Sequence, residues 1–183
     1  YQGEKGDVKA LAMKKWFNTN YHYMVPEIDD NTVLKLSDNK PFELFTEALD
    51  NGVKTTPVII GPYTFLELAR YIGTKTKENF FGNITDAYIQ IIGKFVILGA
   101  EWLQLDEPCL VKDMSREDIE FFNSLYIKIL ENKNGLKIRL QTYFGDVRDC
   151  YKEICALDFD GIGLDFIEGK KTLELIEKNG FPC

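Results

Sequence analysis

Gly99-Ala100-Glu101-Trp102-Leu103-Gln104-Leu105-Asp106-Glu107-Pro108 decides how this chain is read. The segment before it, 83–98, has apolar residues at helical spacing: Ile84, Ala87, Tyr88, Ile91, Ile92 and Phe95. Gly99 then suits a helix C-cap. Trp102–Leu105 reads as a strand. Its alternation puts Trp102, Gln104 and Asp106 on one face and Leu103 and Leu105 on the other. Pro108 ends the strand because it cannot donate to a ladder. An acid at such a strand end needs a hydrogen-bond partner or water. One short stretch therefore gives a helix, a tight return, a strand and a polar strand end.

The same unit recurs on both sides. Ser115-Arg116-Glu117-Asp118 is a capping box that opens a helix to about Asn132. Asn134-Gly135 is a turn, Leu136–Tyr143 a strand and Asp146–Ala156 a helix. Gly161–Phe166 is a further strand, and Lys170–Asn179 a helix closed by Gly180. Upstream, Thr56–Ile60 is a strand closed by Gly61-Pro62, with a helix at Tyr63–Tyr71. Asn20–Met24 is taken as the first strand, and 73–83 as a loop free to move.

Alternating strands and helices argue for βαβ units and a parallel sheet. The strands read as nearly continuous in apolar character, which predicts cover on both faces. A doubly wound sheet would carry a glycine-rich phosphate turn, and no Gly-x-Gly-x-x-Gly occurs. Polar residues instead follow several strands, at Gly61-Pro62, Asp106-Glu107, 142–146 and 165–169. That is the habit of a (β/α)8 barrel of the TIM type. About five βα units are present, whereas closure takes eight. The expectation is a partial barrel, with residues 1–183 as one segment of a larger domain.

Composition narrows the function. The chain has 183 residues, 45% hydrophobic and 28% charged, with a net charge of -7. An acidic chain has no general attraction for nucleic acid or anionic membranes. No apolar run approaches the ~18–20 residues of a membrane helix. Four scattered cysteines form no Cys-x-x-Cys pair, and His22 is the only histidine. Free thiols and a cytoplasmic location are expected.

Several candidate sites compete with plainer roles. Gln104, Asp106 and Glu107 could line a cleft or merely cap a strand end. The run 14–23 mixes lysines, asparagines and aromatic rings, which suits an organic ligand, although its rings could equally be core. His22 lacks the Ser or Cys pattern of a nucleophilic site. Asp146 could cap the helix after it. Asp165, at another strand end, could share a mouth with Asp106 for acid–base work or a cation. No His or Cys partner supports a metal there.

Lys15-Trp16-Phe17-Asn18-Thr19-Asn20-Tyr21-His22-Tyr23-Met24-Val25-Pro26-Glu27 resembles the N-terminal half of cobalamin-independent methionine synthase. Gly61–Phe65, Gly99–Pro108, Thr142–Phe144 and Gly161–Asp165 follow in that family's order, so the likeness runs from about Lys9 onward. The resemblance implies methyl transfer from 5-methyltetrahydrofolate polyglutamate to homocysteine, by two facing (β/α)8 barrels. It places zinc and homocysteine on a C-terminal barrel outside this chain, so no metal is expected here. Lys15 matches a folate-contacting lysine, and an ammonium suits a tail of carboxylates. Asn20, His22, Gln104, Asp106, Glu107 and Asp165 would line the cleft. Lys14 departs from the family's small polar residue, and the loop 74–81 is short. A non-catalytic barrel module and a uroporphyrinogen decarboxylase-like enzyme remain the rivals.

Overall fold

The computed structural model describes residues 10–181. Its centre is a four-stranded parallel sheet of β4 (Val58–Ile60), β6 (Trp102–Asp106), β7 (Lys137–Gln141) and β8 (Gly161–Gly163), in that order. Helices α2 (Pro62–Leu68) and α3 (Phe81–Ile97) link β4 to β6, α4 (Arg116–Leu130) links β6 to β7, and α5 (Tyr151–Ala156) links β7 to β8. Helix α6 (Thr172–Asn179) follows β8. The chain is thus an α/β fold whose central strands run parallel with helices between them, as the alternation predicts.

Local signals explain the boundaries. Gly99 sits at φ +79°, and the Ala100 N–H reaches back to the Phe95 carbonyl at 3.0 Å, a Schellman-type close to α3. The Ser115–Asp118 capping box forms in both directions, with the Asp118 N–H on Ser115 Oγ at 3.1 Å and the Ser115 N–H on Asp118 Oδ2 at 3.1 Å. Asn134 and Gly135 take the positive φ that their turn requires, +49° and +85°.

The core lies between the sheet and its helices. Leu103, Leu105, Ile138 and Leu140 are fully buried on the helix-facing side. They meet Ile92 and Phe95 of α3 and Phe122, Leu125 and Ile129 of α4, which are buried as completely. Each such side chain contributes on the order of 1.5–3 kcal/mol. The opposite face carries Gln104, Asp106, Arg139 and Gln141, all half-buried. This corrects the expectation of apolar strands covered on both sides: β6 and β7 alternate, and their second face is polar.

Other expectations also need correction. Residues 20–24 do not join the parallel sheet. Instead β2 (His22–Met24) pairs antiparallel with β1 (Met13–Lys15) in a hairpin, with Lys15 opposite His22. The helix expected over 63–71 stops at Leu68, and β5 (Arg70–Ile72) pairs in parallel with β3 (Glu27–Asp29). The segment 73–83 is tied down. The Thr74 and Lys75 N–H groups donate to Asp30, Lys77 pairs with Glu67 and Asp118, and α3 already begins at Phe81. Helix α1 (Lys40–Asp50) is a further element, outside the expected strand–helix alternation. Its Phe42 and Phe45 pack on Phe95, with ring centroids 4.7 and 5.8 Å apart.

Candidate functional site

The C-terminal ends of the parallel strands gather polar groups because the register aligns them. Gln104 lies beside Arg139, Asp106 beside Gln141, and Gln141 beside Gly163. Gln104 Nε2 donates to Asp106 Oδ1 at 2.7 Å, and the Arg139 guanidinium donates to Gln104 Oε1. From the loop after β7, the Tyr143 hydroxyl donates to Asp106 Oδ2 at 3.2 Å. Burial, with Asp106 second, pushes the Tyr143 pKa up, so the phenol keeps its proton. Arg139 Nε is buried without a partner. Gly163 makes room here: a Cβ would come within 2.1 Å of Gln141 Oε1.

The β1–β2 hairpin lies against this end. The Trp16 ring meets Phe17 and Tyr23 edge-on, at 5.2 and 5.6 Å. Phe17 stacks on Phe144 at 5.3 Å, and Lys112 Nζ stands 5.5 Å from the Phe17 ring centroid. Asn18 Nδ2 donates to Glu168 Oε2 at 3.1 Å. Aromatic faces and exposed ammonium groups therefore crowd the rim of a polar strand end. A cavity of about 650 Å³ between α1 and α3 shares none of these residues.

Residues 2–183 match the family described as cobalamin-independent synthase, N-terminal domain. The chain belongs to this family. It is 53% identical over 182 residues to a 5-methyltetrahydropteroyltriglutamate–homocysteine methyltransferase of Lactococcus lactis subsp. lactis. It is 53% identical over 183 residues to the protein of that name in Streptococcus thermophilus. Each alignment covers 100% of this chain and 24% of the relative, so the chain spans about a quarter of their length. A solved structure from Listeria monocytogenes, assigned by name to the vitamin-B12-independent methionine synthases, matches with a TM-score of 0.65 and 18% identity. That match covers 75% of this chain and 48% of the other, and it bears on the fold alone.

Within this synthase domain the expected site residues separate into groups. Lys15 is exposed at the end of β1, with His22 opposite it, and Asn20 is exposed in the connecting turn. Gln104 and Asp106 lie on the polar face, as alternation predicts.

Glu107 does not line a cleft, being fully buried. Its carboxylate accepts the Tyr63 N–H at 2.9 Å, the Thr64 N–H at 2.6 Å and the Tyr126 hydroxyl at 2.6 Å. Glu107, just after β6, therefore caps the first turn of α2, because Gly61 at the N-cap has no side chain to do so. Burial pushes its pKa up to about 7 against the pull of these hydrogen bonds.

Asp165 shares no bond with Asp106. It accepts the N–H groups of Phe144, Ile167 and Glu168 at 2.8, 2.8 and 3.0 Å. Burial raises its pKa, but those N–H groups outweigh it and hold the carboxyl below its usual range. Asp146 does not cap the helix after it, since α5 begins at Tyr151. It binds Arg148 through two bonds of 2.6 and 2.9 Å and accepts the N–H of Lys171, the residue before α6, at 3.3 Å.

Among the described residues, no three metal-ligating side chains converge. Cys109 is buried, and that burial pushes its thiol up to about 11. These residues do not fit a zinc ion. Among the described residues, no helix is long and apolar enough to cross a membrane. Tyr143, Phe144 and Arg139 join the site without having been expected there. The first two follow a strand end directly, and Arg139 alternates with the buried Ile138 and Leu140, so a signal existed for all three.

Proposed function

We propose that this chain is part of the folate-holding domain of a cobalamin-independent methionine synthase, whose whole form moves a methyl group from 5-methyltetrahydropteroyltriglutamate to homocysteine. The observation that carries this reading is the seating of the Lys15 hairpin against the strand-end loops of the parallel sheet. Lys15 would meet the carboxylates of the glutamate tail, a charged contact that orients the donor rather than reacting with it. Trp16 and Phe17 would shield that contact from water. The sheet would form part of a (β/α)8 barrel, because its strands run parallel in chain order with helical crossovers. Its polar face and the edges β4 and β8 would be met by the rest of that barrel. Zinc and homocysteine would belong to a C-terminal barrel, where the metal would hold the homocysteine sulfur as a thiolate and so favour it as nucleophile. A cytoplasmic location suits that chemistry.

The test is Lys15→Ala in the full-length enzyme. The KM for the triglutamate donor should rise on the order of tenfold, the loss of one charged contact, with little change for a monoglutamate. Equal changes for both donors would refute the tail contact.

A further inference from the structure

We propose that Asp165 is a positioning residue: it clamps the loops after β7 and β8 into the seat that fixes the Lys15 hairpin. The proposal rests on the tail-contact reading of Lys15 and adds the device that aims that lysine.

One carboxylate joins the two loops. Asp165 Oδ2 accepts the Phe144 N–H at 2.8 Å, while Oδ1 accepts the N–H groups of Ile167 and Glu168 at 2.8 and 3.0 Å. The second loop is closed further by the Thr172 hydroxyl, which donates to the Asp165 carbonyl at 2.6 Å. Gly169 leaves room for that closure, since a Cβ there would lie 2.2 Å from the same carbonyl oxygen.

Each clamped loop then presents one group to the hairpin. Phe144 offers its ring to Phe17 at 5.3 Å, and Glu168 offers its carboxylate to Asn18 at 3.1 Å. Phe17 and Phe144 both hold a left-handed backbone, at φ +52° and +74°. Bulky residues seldom adopt it, so their surroundings must hold them there. Phe17 and Asn18 lie two and three residues beyond Lys15 in a tight hairpin. Releasing them therefore releases Lys15. Three backbone N–H groups take up most of the acceptor sites of Asp165, so its role is that of a support.

The experiment uses the full-length enzyme with Asp165→Asn, whose amide must oppose one of these N–H donors. Hydrogen exchange of a peptide spanning residues 11–24 should quicken on the order of tenfold, the scale of one lost charged hydrogen bond. The KM for the triglutamate donor should rise with kcat retained. In a Lys15→Ala background Asp165→Asn should add nothing to that KM, because it acts through Lys15. Unchanged exchange, or the same KM increase with Lys15 absent, would overturn the proposal. Asn18→Ala, at an exposed position, cuts one tie without touching the clamp. It should quicken the same exchange, and its failure to do so would also count against the clasp. Lys15→Ala acting equally on both donors would sink the tail contact, while the exchange measurement still decides the clasp.

Discussion

Replacing Glu107 with Gln should change how stability depends on pH, and the structure fixes the sign. Glu107 is fully buried and receives three donors: the Tyr63 N–H, the Thr64 N–H and the Tyr126 hydroxyl. A glutamine can keep one oxygen for Tyr63 and Tyr126. Its amide NH2 then confronts the Thr64 N–H, and two opposed buried donors cost roughly 1–3 kcal/mol. Against this stands the charge. The folded carboxyl has a pKa of about 7, above its ordinary value of 4.5, because burial disfavours the ion. A raised carboxyl stabilises the fold fully below pH 4.5 and loses that contribution as pH climbs through about 7. The span between the two values corresponds to roughly 3 kcal/mol. Wild type should therefore be the more stable form near pH 5. Near pH 8 the gap should close or reverse, because glutamine carries no charge to bury. Urea unfolding of both proteins at the two pH values, followed by far-UV circular dichroism, measures it. A gap that stays constant across that range would refute the buried-ion account.

Two further outcomes follow from the same packing. Gly61→Ala should destabilise by about 1–3 kcal/mol in thermal unfolding, because its Cβ would lie 2.2 Å from Glu107 Cδ and that carboxylate is pinned by three bonds. In the native protein, Cys109 and Cys150 should resist a thiol-alkylating reagent at pH 8. Both are buried, and burial raises both thiols, Cys109 to about 11. Peptide mapping showing them labelled as fast as in urea would contradict that burial.

Much of the architecture was legible because its signals are local. The Gly99 cap, the capping box at Ser115, the Asn134-Gly135 turn and the split of β6 into an apolar and a polar face all formed as read. The reading failed where partners lie far apart in the chain. Residues 20–24 have strand character, yet nothing in them says that the partner is Met13–Lys15 rather than the parallel sheet. Arg70 and Tyr71 read as the end of a helix, but Arg70–Ile72 pairs with β3 as a strand. Helix α1 carried an available signal, Pro41 in its first turn and apolar Phe42, Phe45 and Leu49 at helical spacing.

The candidate site divides the same way. That polar residues end the strands, that Gln104 and Asp106 share a face and that Lys15 opens an aromatic-rich run is legible in the chain without its fold. Residue type and a two-residue period are properties of a short stretch and need no fold. What each acid does depends on the folded neighbourhood. Asp106 and Glu107 are neighbours in the chain, yet Asp106 joins a polar cluster while Glu107 turns inward to cap α2. Asp165, read as a partner for Asp106, bonds backbone in two loops instead. A carboxylate's role depends on which donors reach it. At Glu107 and Asp165 some of those donors come from elements 19 to 44 residues away in the chain, which only folding brings within bonding distance.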